Sequence, residues 1–259
     1  MSIVVDQMAA WLRQQVSAAN ATGIVVGLSG GVDSAVVARV AQLAMGNAIL
    51  CVIMPAHSDH HDEEDARLVA ERFKLPVVAV DLSAAYDDLL GIIQQALANQ
   101  PGKGTASTGA PSRLALANLK PRLRMTTLYA VANRLGYLVA GTGNRSEIAI
   151  GYFTKYGDGG VDVLPLGALV KSEVHALARE LDVPRGIVEK TPSAGLWRDQ
   201  TDEGEMGFTY AELEQFLREG PAAIAPAVAL KIDTLVRTSD HKRRMPPVFE
   251  PLPSEYAPG

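Results

Sequence analysis

Cysteine is almost missing from this chain: Cys51 stands alone among 259 residues. That excludes an intramolecular disulfide and a cysteine-based zinc cluster. Cys51 lies in the apolar run Ala48–Met54 and reads as a buried strand residue. A surplus of positive charge is missing too. The formal net charge of −5 argues against general nucleic-acid binding, although a local basic patch remains open. No apolar stretch reaches the roughly 18 residues of a membrane-spanning helix, so no membrane association is expected. The N-terminus has no basic region followed by an apolar core and a cleavage site, and a cytoplasmic location is the default expectation. Internal repeats are absent. What remains is an ordinary soluble globular balance, 47% hydrophobic and 20% charged, in a length that suits one large domain or two small ones.

The most informative stretch is Gly27-Leu28-Ser29-Gly30-Gly31-Val32-Asp33-Ser34. The apolar run Gly23–Val26 leads in and a helix-like run from Ala35 to Met45 leads out, so it reads as strand, glycine turn and helix start. Gly30 and Gly31 let the backbone curl with N–H groups inward, and Ser29 and Ser34 add hydroxyls. The helix N-terminus adds unpaired N–H groups and partial positive charge. The result is a phosphate cradle. Asp33 would repel phosphate unless a Mg²⁺ lies between them, which predicts an ATP–Mg²⁺ or pyrophosphate–Mg²⁺ site. A Walker A loop is excluded because the Gly-Lys-Ser/Thr ending is absent. Ser29-Gly30-Gly31-Val32-Asp33-Ser34 resembles the signature of the ATP pyrophosphatase superfamily.

Around this turn the chain alternates strands and helices. Met1–Ala21 reads as a core-facing helix, with Ile3, Val4, Met8, Trp11, Leu12 and Val16 at helical spacing. Strands are expected at Ile24–Leu28, Asn47–Met54, Pro76–Val80 and Tyr137–Ala140. Helices are expected at Ser34–Met45, Asp59–Phe73, Leu82–Leu97, Arg113–Leu135, Thr209–Arg218 and Pro221–Val236. Near-continuous Val/Ile strands between helices point to α/β architecture: a parallel, twisted, Rossmann-like sheet with helices on both faces. Ligands in such sheets sit at the carboxyl ends of the strands. The whole chain, 1–259, is expected to be a single domain, with a mobile loop at Asn99–Ser112 and a frayed tail over about 248–259.

Several segments admit two readings. Ala56–Asp65, rich in His, Asp and Glu, is either a metal site or, as favoured here, a solvated first helical turn; it also follows strand two and can border adenine. Pro121 marks a kink or a true helix start. The basic residues from Lys120 to Arg124, and His241-Lys242-Arg243-Arg244, are either solvated faces or anion contacts. Gly141-Thr142-Gly143-Asn144-Arg145-Ser146-Glu147 is a second glycine turn after a strand. Its Thr142 can donate to phosphate or adenine, and Glu147 is either a second Mg²⁺ ligand or a helix-capping carboxylate. Lys171 either serves the site or opens a helix and pairs with Glu173 or Glu147.

Gly141 to Glu147, then Gly151-Tyr152-Phe153-Thr154-Lys155-Tyr156-Gly157-Asp158-Gly159-Gly160, closely resemble the ammonia-dependent NAD synthetases. Leu164-Pro165-Leu166 with Lys171, Lys190 to Trp197, Gln200 to Glu203 and His241 to Arg244 extend the likeness. It runs from about Gly23 to Pro247. The glycine loop is shared by a superfamily, whereas Phe153 to Gly160 is far more selective. Ser193 stands where many relatives carry Thr, and Pro121 where Ala is usual.

The resemblance implies that Gly27, Leu28, Ser29, Gly30, Gly31, Val32, Asp33, Ser34, Thr142, Lys171 and Ser193 bind ATP. It implies Mg²⁺ on Asp33 and Glu147, and deamido-NAD against Arg122, Lys155, Asp162, His241 and Lys242. It further implies a homodimer. The expected reaction is adenylation of deamido-NAD by ATP, then attack by ammonia to give NAD and AMP. No side-chain nucleophile with an attendant base stands out, and none is assigned. Thr191–Gly207, mixed in Pro, Gly and charge, is expected to form a lid that excludes water. The alternatives are another ATP pyrophosphatase, such as a GMP synthetase core or a tRNA-modifying enzyme, and a non-catalytic adenine-nucleotide sensor.

Overall fold

The computed structural model describes residues 3–99, 113–197 and 200–249. Among these, β1 (Gly23–Gly27), β2 (Ile49–Ile53), β3 (Val77–Ala79) and β4 (Tyr137–Ala140) form one parallel sheet in the order β3-β2-β1-β4. Ile24 of β1 pairs with Ile49 on one side and Leu138 on the other. The helices in chain order are α1 (Ile3–Ala18), α2 (Val32–Met45), α3 (His60–Phe73), α4 (Ser83–Ala98), α5 (Arg113–Ala117) and α6 (Leu119–Leu135). They continue with α7 (Arg145–Ile150), α8 (Lys171–Glu180), α9 (Arg185–Val188), α10 (Asp202–Met206), α11 (Tyr210–Glu219) and α12 (Pro226–Thr238).

Alternate strand residues serve opposite faces, as the strand repeat of two requires. Ile24, Val26, Ile49, Cys51 and Ile53 pack under α1, α2, α3 and α8. Val25, Val52 and Val139 pack against Leu82, Ala132 and Leu128 on the other face. Burial on both faces explains why the strands read as continuous apolar runs. Burial also pushes the Cys51 thiol up to about 12, an inert core residue. A third cluster, Ile150, Met206, Phe208, Tyr210, Leu213 and Ile232, joins α7, α10, α11 and α12 beside the sheet.

The chain moves outward from β1 through β2 to β3, then crosses back to lay β4 on the opposite side of β1. The strand order therefore reverses between β1 and β4. In open parallel sheets, that reversal opens a crevice at the carboxyl ends of the strands. Both glycine turns emerge there.

Some expected elements differ. Arg113–Leu135 is two helices, because Pro121 has no N–H to offer the Ala117 carbonyl and the ladder breaks at that point. Pro121 then falls in the first turn of α6, where the missing donor costs nothing. Pro221–Val236 also divides: Ala225, extended before a proline, separates a turn at Pro221–Ala223 from α12. In α1, Val5, Met8, Ala9, Leu12 and Val16 are buried, while Ile3, Val4 and Trp11 are exposed. Residues 100–112, most of the expected Asn99–Ser112 loop, and residues 250–259 of the tail lie outside the described residues.

Candidate active site

A cleft of about 730 Å³ opens at the β1/β4 reversal. Its floor is the loop from β1 to α2. Gly30 adopts φ +81°, and a Cβ there would sit 2.3 Å from the Asp62 carbonyl oxygen, so only glycine lets this loop pass under α3. Gly30 is thereby turned away from the cleft lining, whereas Gly27, Leu28, Ser29, Gly31, Val32, Asp33 and Ser34 line it. The two serines shape the loop. Ser34 Oγ donates to the Gly31 carbonyl at 2.9 Å and accepts from the Ser29 N–H at 3.2 Å. The first turn of α2 points its free N–H groups into the cleft, as helix starts do.

Asp33 and Glu147 face each other across the strand ends. Lys171, 5% exposed, reaches between them, with Nζ 2.5 Å from Asp33 Oδ2 and 3.3 Å from Glu147 Oε1. Asn144, fully buried, ties the same pair together: its Nδ2 donates to Asp33 Oδ1 at 3.0 Å and its Oδ1 accepts from the Glu147 N–H at 3.1 Å. Glu147 takes the capping role that its position allowed, and its second oxygen meets Lys171. Oε2 accepts the Asn144 N–H and closes a capping box, while Oε1 faces the cleft. Lys171 likewise opens α8 and joins the site.

The electrostatics of this end follow from burial. Desolvation, opposed by Lys171 and reinforced by Asp33, pushes the Glu147 carboxyl up to about 7. Burial disfavours the Lys171 ammonium, but Asp33 and Glu147 outweigh it and hold the group above its ordinary value. Asp202, 4% exposed, is raised by burial and adds a third carboxylate to the field around Lys171. Three carboxylates and one ammonium leave an excess of negative charge that suits a further cation. Among the described residues no three His, Cys, Asp or Glu side chains converge to hold a metal alone. Two carboxylates completed by phosphate oxygens and water fit Mg²⁺ well.

The opposite end of the cleft is cationic. Gly151, at φ +67°, closes α7 so tightly that a Cβ would meet Ser239 at 2.2 Å. This contact brings His241 and Lys242 to the rim. Lys242 Nζ donates to the carbonyls of Gly151 and Phe153 at 2.7 and 2.8 Å. Lys155 Nζ donates to the His241 carbonyl, Arg122 Nη2 to the Lys155 carbonyl at 3.4 Å, and Arg124 Nε to the Met54 carbonyl at 3.1 Å. Among the described residues none of these cations is paired with a carboxylate.

Arg122, Lys155, His241, Lys242, Thr142 and Ser193 all line the cleft. Asp162 does not. Its carboxylate accepts the Val139 N–H at 2.8 Å and the Tyr129 hydroxyl at 2.9 Å, which fixes the end of β4. In the segment Ala56–Asp65, His60 and His61 are exposed and pair with Glu64, as a solvated first turn would. Asp62 and Asp65 depart from that expectation. They turn inward to Lys190, 2.8 and 2.6 Å from its Nζ, and so hold the start of the 191–207 segment. Sequence reasoning also passed over Asn144, Asp202, Tyr152 and Tyr210 as site residues. The Asn144–Glu147 spacing carried a capping signal, but nothing local announced the contact to Asp33, 111 residues away.

The family described as NAD synthase matches residues 4–246. An NH(3)-dependent NAD(+) synthetase of Carboxydothermus hydrogenoformans is 49% identical over 243 residues, 94% of this chain and 95% of the relative. Among solved structures, an NMN synthetase from Francisella tularensis superposes with a TM-score of 0.84 at 36% identity, covering 95% of this chain and 96% of that one. An NH3-dependent NAD synthetase from Campylobacter jejuni, in complex with the nitrate ion, gives 0.76 at 26% identity, covering 95% and 97%.

Proposed function

Since this chain belongs to the NAD synthase family and is an ATP-dependent ligase that amidates deamido-NAD with ammonia, we propose that the two ends of its cleft divide the reaction. The β1–α2 loop, Thr142, Lys171 and Ser193 hold ATP. Asp33 and Glu147 hold Mg²⁺ with the phosphates. Arg122, Lys155, His241 and Lys242 hold the dinucleotide, with Asp162 acting through the end of β4. One observation carries this reading: a half-buried carboxylate pair bridged by Lys171 faces cations that, among the described residues, form no salt bridge and donate to main-chain carbonyls.

The chemistry brings two anions together. The nicotinate carboxylate attacks the α-phosphorus of ATP, and pyrophosphate leaves. Bound Mg²⁺ supplies charge neutralisation on the leaving group. Lys171 and the α2 N-terminus stabilise the same developing charge from the protein side. Ammonia then attacks the acyl carbon of the adenylate; AMP leaves and a proton is released. Positioning and electrostatics suffice, so no covalent protein nucleophile is required.

The segment 191–207, of which 198 and 199 lie outside the described residues, acts as a lid that keeps water from the adenylate. Lys120, buried in α6, donates to the Leu196 carbonyl at 3.1 Å, and Arg113 lies over the Trp197 ring at 4.6 Å, contacts that seat such a lid. The whole chain works as one unit in the cytoplasm, as a homodimer. The first helix, α1, spends its apolar side on the core and offers little for a dimer contact. A better dimer face is α4, with Ile92, Ile93 and Leu97 exposed; Val77 and Val78 of the edge strand β3 are exposed as well. Sedimentation as a monomer at micromolar concentration would remove the dimer from this proposal.

The direct test mixes protein, MgATP, ammonium and deamido-NAD and follows AMP, pyrophosphate and NAD together. Xanthosine monophosphate and nicotinic acid mononucleotide run as competing substrates. Equimolar AMP and NAD from deamido-NAD are expected. ATP binding without pyrophosphate release would favour the sensor.

A further inference from the structure

Two phenols converge on one buried carboxylate at the root of the lid. Tyr152 donates to Asp202 Oδ1 at 3.2 Å and its oxygen also lies 2.7 Å from Glu205 Oε2. Tyr210 donates to Asp202 Oδ2 at 2.8 Å, and its oxygen lies 3.4 Å from Glu147 Oε1. The Tyr210 ring lies under Lys171, whose Nζ is 5.4 Å from the centroid. Asp202 itself closes the 191–207 segment, because its N–H donates to the Pro192 carbonyl at 3.0 Å. Glu205 then accepts from Gln200 Nε2 at 2.7 Å, and Gln200 Oε1 accepts the Leu196 N–H at 2.9 Å. Hydrogen bonds thus run from the middle of the lid through Glu205 and Tyr152 to Asp202, and Tyr210, whose hydroxyl hydrogen goes to Asp202, sets its oxygen against the Glu147 carboxylate.

We infer that Tyr210 and Asp202 are positioning residues that couple the seating of the 191–207 segment to the orientation of Glu147. The physical ground is geometric. Glu147 Oε2 is fixed by its cap, so the rotation of Oε1 is set by what flanks it, namely Lys171 and Tyr210. A carboxylate that binds a cation is oriented by such outer partners. Tyr210 is in turn held by Asp202, which is tied to the lid root through its N–H to the Pro192 carbonyl. Tyr152 shares Asp202, but only its N–H meets Glu147, donating to the main-chain carbonyl at 2.9 Å; among the described residues its hydroxyl bonds Asp202 and Glu205 and not the Glu147 carboxylate, so the phenol braces the lid without reaching the cation site.

This inference rests on the proposed Mg²⁺ position, and its test separates the two tyrosines. Full-length wild type, Tyr210→Phe, Tyr152→Phe and Asp202→Asn are digested with a broad-specificity protease in saturating ATP across a Mg²⁺ titration. Cleavage within 191–207 is scored. The half-protecting Mg²⁺ concentration is expected to rise about tenfold or more for Tyr210→Phe and Asp202→Asn. For Tyr152→Phe it should stay within about twofold while protection at saturation weakens. Equal shifts in both tyrosine variants, or no shift in Tyr210→Phe, overturn the coupling. Asp202→Asn reaches the same coupling from the lid side if Tyr210→Phe does not fold. Formation of NAD by the wild type is measured alongside. Its absence defeats the functional reading, whereas the contrast between tyrosines still decides the coupling.

Discussion

The two ends of the cleft solve opposite electrostatic problems with different materials. At the carboxylate end, side chains from α2, α7 and α8 bond one another: Asp33, Asn144, Glu147 and Lys171 leave little freedom. At the cationic end, Arg122, Lys155 and Lys242 lean on main-chain carbonyls. A carbonyl satisfies a donor but carries no net charge. The cations are therefore held in place without a salt bridge among the described residues; the Asp158 carboxylate acts on Lys242 from farther off, and burial outweighs it and keeps the ammonium below its ordinary value. The first end is organised in advance around a net negative field, and the second keeps its charge for an anionic ligand. An enzyme that must bring two anions together needs both.

Breaking the carboxylate end should cost most. Asp33→Asn keeps the size and removes the charge, and leaves Lys171 with one carboxylate partner. Pyrophosphate release is expected to fall about 100- to 1,000-fold, with deamido-NAD binding nearly intact by calorimetry. Comparable losses in binding and turnover would erase the distinction between the ends. Removing one cation should do less. Arg122→Gln is expected to raise the KM for deamido-NAD about tenfold or somewhat more, the worth of one hydrogen bond to a charged group, with kcat for saturated enzyme little changed. An effect on the KM for MgATP instead would place Arg122 at the wrong end.

A pH series sharpens the comparison further. Burial lifts Glu147 from 4.5 to about 7, so the folded protein holds an extra proton between those values. The contribution of this group to stability is greatest below that window and declines as pH rises through it. A divalent cation must displace the proton, so Mg²⁺ affinity should weaken by up to about tenfold per pH unit below pH 7 and level off above it. Titration calorimetry in buffers of different ionisation enthalpy would detect the proton released near pH 6.5. No release would place the raised value elsewhere. A smaller effect is expected from salt: the KM for deamido-NAD should rise a few-fold between about 0.05 and 0.3 M, more than that for MgATP, because the cationic end is the more open to solvent.

Much of this was legible before any coordinates. Strand, glycine turn and helix start are encoded within a dozen residues around Gly27–Ser34, and local stereochemistry leaves them little choice. The capping box at Asn144–Glu147 and the burial of both sheet faces are likewise local or periodic signals. The start of α6 was signalled as well, since Pro121 read as a kink or a true helix start and falls in its first turn. Other features had no local signal. The Asp62 and Asp65 carboxylates read as solvated until α3 was laid beside Lys190. Asp162 bore the family pattern, yet its oxygens are committed to Val139 and Tyr129.

What the sequence determined alone is the set of short-range conformations and the kind of chemistry they can hold, because φ/ψ preferences, caps and periodicity act over a few residues. Only the tertiary structure decided which distant groups meet. The order β3-β2-β1-β4 puts Asp33 beside Asn144 and Lys171, brings Asp202 into their field, and seats cations held by main-chain carbonyls opposite them. Coulomb and desolvation energies depend on distance in space and on excluded water, and neither is written along the chain.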